Sequence, residues 1–259
     1  MGVEDSFMGH RPHSYTALVE GWEDLASKHG WKCRTFVDID SYNLLTLTNG
    51  NGGGIYLSAG IHGDEAAAPW GLLEWARRYG SRLRDRNFRI FPCLNPWGLD
   101  SNCRLDANGK DLNRAFHDAT HPLIGAWRAE MRNERFACTV CLHEDFDAHG
   151  MYVYESTRGS RLGNELLREC EDLLNRQPDG DVEELESENG VVKVPANLDV
   201  VLESLGEQLP EAIYLFQHHT DWALTFETPS ELAWRDRVMA QARFIAAVGK
   251  RNLEPGGNG

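Results

Sequence analysis

A short apolar run at residues 55–57, Ile-Tyr-Leu, leads into Ser58-Ala59-Gly60-Ile61-His62-Gly63-Asp64-Glu65, and residues 66–79 then carry helical periodicity. A strand that turns into a helix through small residues is the building unit of a sheet covered by helices. In open sheets of that kind, ligands gather at the carboxyl ends of the strands. His62 and Glu65 sit at such an end, and both residue types bind zinc. The pair alone is a weak signal. A site needs a third ligand, a base and a substrate clamp from elsewhere in the chain.

The same alternation runs through the rest of the sequence. Spacing predicts helices over 15–28, with Gly30 as the stop, and over 123–131, 162–174, 198–205 and 232–248, with Pro229 where the last could begin. Runs rich in β-branched and aromatic residues predict strands over 31–39, 42–48, 55–59, 88–94, 136–142, 151–155, 191–194, 212–216 and 222–226. Residues 49–54, Asn-Gly-Asn-Gly-Gly-Gly, have the chemistry of a hairpin turn. They precede a strand rather than a helix, which argues against phosphate binding. Residues 95–116 read as a long polar loop, and loops of that length are usually functional or disordered. Residues 177–189 read as an exposed acidic insertion, 1–14 as a polar segment with His10 and His13, and 256–259 as a tail. No internal repeat or dividing linker is visible. The expected architecture is α/β: a single domain over 1–255 with a mixed, mostly parallel twisted sheet and helices on both faces.

Charge narrows the partners. A net charge of −14 argues against nucleic acid and anionic membrane. It suits cationic substrates, although a solvated acidic surface is the plainer reading. The N-terminus has no apolar signal-peptide core, and no run approaches the roughly 18 apolar residues of a membrane span. With Cys33, Cys93, Cys103, Cys138, Cys141 and Cys170 read as buried free thiols, a cytoplasmic location is expected. Cys138 and Cys141 have C-x-x-C spacing, but residues three apart on a strand point to opposite faces, so they are not expected to pair.

Two further strand ends carry the right chemistry. His143 follows residues 139–142, and Glu227 follows residues 223–226. Two His and one Glu with an open fourth position make a hydrolytic zinc site. The long polar loop between Glu65 and His143 contributes Asn95-Pro96-Trp97-Gly98, Arg104 and Asp111-Leu112-Asn113-Arg114. Taken with His62-Gly63-Asp64-Glu65, His143 and Thr225-Phe226-Glu227, this set resembles the zinc carboxypeptidase family. It looks closest to the short bacterial-type members, some of which cut cell-wall peptides. The related deacylases of N-acyl amino acids, aspartoacylase and succinylglutamate desuccinylase, share much of the pattern. The resemblance covers about residues 55–230.

The resemblance implies one zinc per chain, bound by His62, Glu65 and His143. It implies Arg104 at the scissile carbonyl, Asn113 and Arg114 on the substrate's terminal carboxylate, and Glu227 as general base. The chemistry agrees. Zinc brings the pKa of bound water to about 7, a carboxylate shuttles the proton, and a bidentate guanidinium reads a carboxylate. Asp111 is read as ordering its loop. Many members also use a tyrosine upstream of the base. Tyr214 lies too close to Glu227 in sequence for that role to be carried over. Asp64 reads as an orienting neighbour. Glu144 and Asp145 could orient ligands or bind a cationic amine. His218 and His219 could line the pocket, although surface or core is the simpler reading. The expected activity is a metallocarboxypeptidase acting on a small peptide. The alternatives are an N-acyl amino acid deacylase and a catalytically silent binding module.

Overall fold

The computed structural model describes residues 12–50, 52–182 and 185–252. Its strands are β1 (Lys32–Ile39), β2 (Tyr42–Asn49), β3 (Ile55–Ala59), β4 (Phe88–Phe91), β5 (Cys138–Asp145), β6 (Tyr152–Thr157), β7 (Gly180–Val182), β8 (Leu185–Glu188), β9 (Val191–Lys193) and β10 (Trp222–Pro229). Its α-helices are α1 (Tyr15–His29), α2 (Ala67–Tyr79), α3 (Pro96–Ser101), α4 (Pro122–Glu130), α5 (Gly163–Arg168), α6 (Leu198–Leu205), α7 (Glu211–His218) and α8 (Trp234–Asn252). The residues expected to form a tail, 256–259, lie outside the described ones, as does His10.

The strands form one sheet in the order β1-β2-β4-β3-β5-β10-β6-β9-β8-β7. Its centre, β4-β3-β5-β10, is parallel. Antiparallel pairing joins β1, β2 and β4 on one flank and β6 to β10 on the other. Helices cover both faces. On one, α1, α2, α5 and α8 bury Leu18, Trp22, Leu73, Leu167 and Phe244 against the sheet. On the other, α4 and α7 bury Ile124, Trp127 and Leu215. The α/β class with a mixed sheet is the expected one.

Strand parity explains the core. Cys138, Val140 and Leu142 of β5 face the α2–α8 layer, while Cys141 faces α4 and α7. The C-x-x-C cysteines therefore lie on opposite faces, and all six cysteines are free. Four of them are buried, and Cys33 and Cys103 are half-buried. Leu224 and Phe226 share the α2–α8 side, where Phe226 stacks flat on Phe244 with ring centroids 4.1 Å apart. Burying such side chains contributes about 1.5–3 kcal/mol each.

Several elements differ from the sequence reading. Residues 212–216 are helical, within α7, because Pro210 opens the segment and Glu211 fills its first turn. A five-residue apolar run cannot separate helix from strand by period alone. The 49–54 turn does not close a hairpin: it carries the chain from β2 past β4 to β3. A hairpin instead joins β1 to β2, turning at Asp40 and Ser41 with positive φ. The long loop contains α3, capped by the Asn95 side chain on the Gly98 amide. The acidic insertion contains β7 and β8, which extend the sheet. Pro229 ends β10, and the last helix starts at Trp234. No helix among the described residues is long and apolar enough to cross a membrane.

Candidate metal centre

The turn after β3 is built by close backbone packing. Leu94 N–H donates to the Ala59 carbonyl at 3.1 Å and Asn95 N–H to Gly60 at 2.7 Å, so the 94–103 segment lies along the turn. Gly63 N–H donates to the Cys103 carbonyl at 3.1 Å. A Cβ on Gly63 would sit 1.8 Å from the Gly98 carbonyl carbon. Only glycine allows that approach. The two glycine-bearing motifs of the sequence are thus two sides of one contact.

This packing delivers His62 and Glu65 to the end of the parallel centre, where β5 supplies His143. His143 lies inside β5 rather than past it, since the strand runs on to Asp145. His62 Nδ1 is 2.6 Å from Glu65 Oε1, and His143 Nδ1 is 2.9 Å from Glu65 Oε2. One ligand atom from each of the three residues lies within 4.8 Å of the others, and all three residues are buried. His62 Nε2 is 3.1 Å from Asp111 Oδ1. That contact suits a proton on Nε2 and leaves the Nδ1 lone pair for a metal.

The electrostatics test whether this donor set fits a cation. Burial alone would lower the two imidazoles. The charge and hydrogen bond of Glu65, joined by Asp111 at His62 and by the Glu227 charge at His143, together outweigh it and raise His62 to about 9 and His143 above its ordinary value. Burial pushes the Glu65 carboxyl up, but both rings outweigh it and hold it well below the usual range. The cluster therefore stabilises positive charge at its centre. Two nitrogens and a carboxylate with that preference fit zinc.

Around the cluster stand the remaining expected residues. Glu227 of β10 is in register with His143 of β5 and with Tyr152 of β6, so the three side chains leave the sheet on the same face. Glu227 is buried, and its charge helps to raise both His143 and Tyr152. Arg104 Nη1 reaches Glu65 Oε1 at 3.5 Å, while its Nε and Nη2 donate to Asp111 Oδ2 at 3.2 and 3.1 Å. Asp111 Oδ1 also accepts from Asn113 N–H at 2.9 Å. Asp111 thus orders its loop, as expected, and also joins His62 to Arg104. The Asn113 Oδ1 accepts from Glu211 N–H at 2.9 Å, which ties the loop to the start of α7. Arg114 follows in the same turn, with Nη1 donating to the Asn113 carbonyl at 3.2 Å.

Other candidates fall away from the centre. Asp64 is exposed. His218 is exposed, and His219 is buried against Trp127, with Nδ1 2.9 Å from the Glu134 carbonyl. Tyr214 packs among Phe116 and Trp127. Asp145 accepts the Tyr152 hydroxyl at 2.7 Å. Glu144 points to the other face of the sheet. Two residues at the centre, Asp111 as a histidine partner and Tyr152 beside Glu227, carry no sequence signal for those places. Sequence spacing gives no strand register, which is what brings Tyr152 there.

Comparison with known proteins bears on the fold and on part of the chain. Residues 51–145 match the model of the succinylglutamate desuccinylase/aspartoacylase catalytic domain. That segment contains His62, Glu65, Arg104, Asn113, Arg114 and His143 but stops short of Glu227. No curated protein matches the chain. Among solved structures, a candidate metallopeptidase from Shewanella denitrificans OS217 superposes with a TM-score of 0.80 at 22% identity, covering 93% of this chain and 91% of that one. A metallo-carboxypeptidase from Burkholderia cenocepacia gives 0.67 at 16% identity, covering 89% of this chain and 66% of its own. The metallo-carboxypeptidase from Pseudomonas aeruginosa, in complex with (2-guanidinoethylmercapto)succinic acid, gives 0.58 at 17% identity, covering 91% and 69%. The resemblance to the zinc carboxypeptidases and the related deacylases thus holds: in fold across most of the chain, and by family model over residues 51–145. The fold is shared with structures described as metallopeptidases and metallo-carboxypeptidases, and the matched segment is that of a desuccinylase/aspartoacylase catalytic domain.

Proposed function

We propose that the protein is a zinc-dependent hydrolase of carboxypeptidase type that cleaves an amide bond next to a free carboxylate. The observation that carries this reading is the convergence of His62, Glu65 and His143 from two strand ends, with Glu227 in register beside His143. His62 and His143 through Nδ1, and Glu65 through its carboxylate, would hold one zinc, which supplies Lewis acidity toward water and the scissile carbonyl. Glu227 takes a proton from the attacking water and passes it to the leaving amine. Arg104 places a fixed cation where the carbonyl oxygen gains negative charge. Asp111 holds that guanidinium along its Nε–Nη2 edge. Arg114 and the Asn113 amide bind the substrate's carboxylate. Because Asn113 Oδ1 is engaged by Glu211, the NH2 group is what the side chain offers.

The second reading, a deacylase of N-acyl amino acids, is favoured by the domain model that matches residues 51–145. Both readings require a free carboxylate on the substrate, and the succinic-acid compound held by the Pseudomonas relative carries such groups. Substrate panels separate them. Dipeptides and short peptides, including a cell-wall-type peptide, are assayed with free and amidated C-termini, beside N-acetyl and N-succinyl amino acids. The proposal expects turnover of the free-carboxylate peptides and none of the amidated ones. Turnover of the acyl amino acids alone would replace the peptidase reading with the deacylase one. Equal turnover of amidated peptides would remove the role given to Arg114.

A further inference from the structure

We propose that Glu144 and Arg237 form a positioning pair that fixes Glu65 and His143 from the face of the sheet opposite the metal centre. The inference rests on the zinc reading for its measurement. Parity sends the Glu144 side chain to the α2–α8 side, where it is completely buried. Its Oε2 accepts from Ala67 N–H at 2.7 Å. Its Oε1 takes a short bond from Arg237 Nη1 and a longer one, 3.4 Å, from Thr228 Oγ1. Its own main-chain N–H donates to Glu65 Oε2 at 3.1 Å.

This one residue therefore grips the ligand at both ends. The main chain of Glu144 holds the carboxylate of Glu65, and its side chain holds the first turn of α2, which begins two residues after Glu65. That turn needs an outside acceptor. The N-cap position, Ala66, offers no side-chain oxygen, and the first turn contains no acidic residue. Helix N-termini leave amides without partners and carry partial positive charge. An anion supplied from β5 answers both. It also offsets the helix's positive end close to where a metal cation would sit.

Arg237 extends the hold into α8. Its Nε donates to the Leu232 carbonyl at 2.8 Å and its guanidinium lies over the Trp234 ring, so its position is set independently of Glu144. Gln241, one turn further on, donates to the His143 carbonyl at 2.6 Å and to Thr228 Oγ1 at 3.0 Å. The α8 helix thus touches the chain at both His143 and Glu144. A buried ion pair is a weak source of stability compared with apolar packing of the same volume. What this one adds is direction, since each carboxylate oxygen has a set donor.

The test is zinc affinity, by competition with a chromophoric chelator, together with the cobalt(II) absorption spectrum as a readout of ligand geometry. Four proteins are compared with the wild type below their melting temperatures: Glu144→Gln, Arg237→Lys, the double variant Glu144→Met with Arg237→Met, and Arg243→Met as a surface control on α8. The double variant replaces the ion pair with apolar volume and keeps the test usable if Glu144→Gln does not fold. Glu144→Gln and the double variant should bind zinc about 10–100-fold more weakly while folded, the scale for groups that orient metal ligands. Their cobalt spectra should change. Arg237→Lys should recover part of the loss, and Arg243→Met should match the wild type. Folded variants with unchanged affinity and spectrum would reduce Glu144 to a helix cap and overturn the inference alone. A wild-type chain that takes up neither metal would overturn the zinc reading and this inference with it.

Discussion

Substituting Gly63 by Ala tests how rigidly the metal loop is seated. The new Cβ would lie 1.8 Å from the Gly98 carbonyl carbon, 2.2 Å from its oxygen and 2.3 Å from Leu99 N. All three are backbone atoms, so no side chain can swing away. Carbon contacts settle at about 3.5–4.0 Å, so one segment must move by roughly 2 Å. The Gly98 segment is pinned: Asn95 Oδ1 accepts its N–H at 2.9 Å and Cys103 N–H donates to its carbonyl at 2.9 Å. Overpacking costs about 1–3 kcal/mol, occasionally more, and backbone-on-backbone overlap places this variant at or above the upper end. At roughly 2–4 °C per kcal/mol for a chain of this size, the melting temperature should fall by about 6–12 °C. Because Gly63 lies between His62 and Glu65, zinc affinity should fall as well. Differential scanning calorimetry and chelator competition measure the two effects. Gly159→Ala is the control, since its nearest neighbour would be an ordinary contact at 3.8 Å, and it should stay within about 0.5 kcal/mol. A Gly63→Ala protein with wild-type melting and zinc affinity would show that the metal loop is not rigidly seated on the Gly98 backbone.

Three other variants address separate parts of the account. Glu227→Gln keeps shape but removes the base, so kcat should drop about 10²–10⁴-fold with zinc still bound; near-normal turnover would reassign the base. Phe226→Ala removes a fully buried ring stacked on Phe244 and should cost about 3–5 kcal/mol in urea unfolding, a loss below about 1 kcal/mol being the contrary result. Burial lowers His219 below its ordinary 6.5 despite the Glu134 carbonyl bond. The unfolded chain therefore takes up a proton first as pH falls, so this residue's contribution is intact above about 6.5 and is lost as pH drops through its lower folded value. His219→Gln should flatten the acid side of the stability profile, and an unchanged slope would show that other groups set it.

The parts of the molecule that could be read beforehand were those whose signal is local. His62, Glu65 and His143 announce themselves as metal-binding residue types at the ends of β-rich runs, and Asp111-Leu112-Asn113-Arg114 as a turn that presents an arginine. Parity along β5 separates Cys138 from Cys141 without a structure. What was hidden depends on pairing. Tyr152 reaches Glu227 only because β6 lies antiparallel to β10 in that register. Arg237 meets Glu144 across 93 positions of sequence. The run at 212–216 is too short for its period to choose a helix, and only Pro210 and Glu211 hint at one. Strands β7 and β8, at one end of the sheet, lie in a segment so acidic that its strand pattern is masked.

Everything proposed for this site depends on His62, Glu65 and His143 holding the zinc of a hydrolase. Zinc K-edge absorption on the protein loaded with one equivalent tests it most directly. The expected result is one tightly bound zinc per chain, with two nitrogen ligands and carboxylate oxygen at about 2.0–2.2 Å, and loss of that signature in His143→Ala. Failure to retain stoichiometric zinc, or an identical spectrum from His143→Ala, would contradict it.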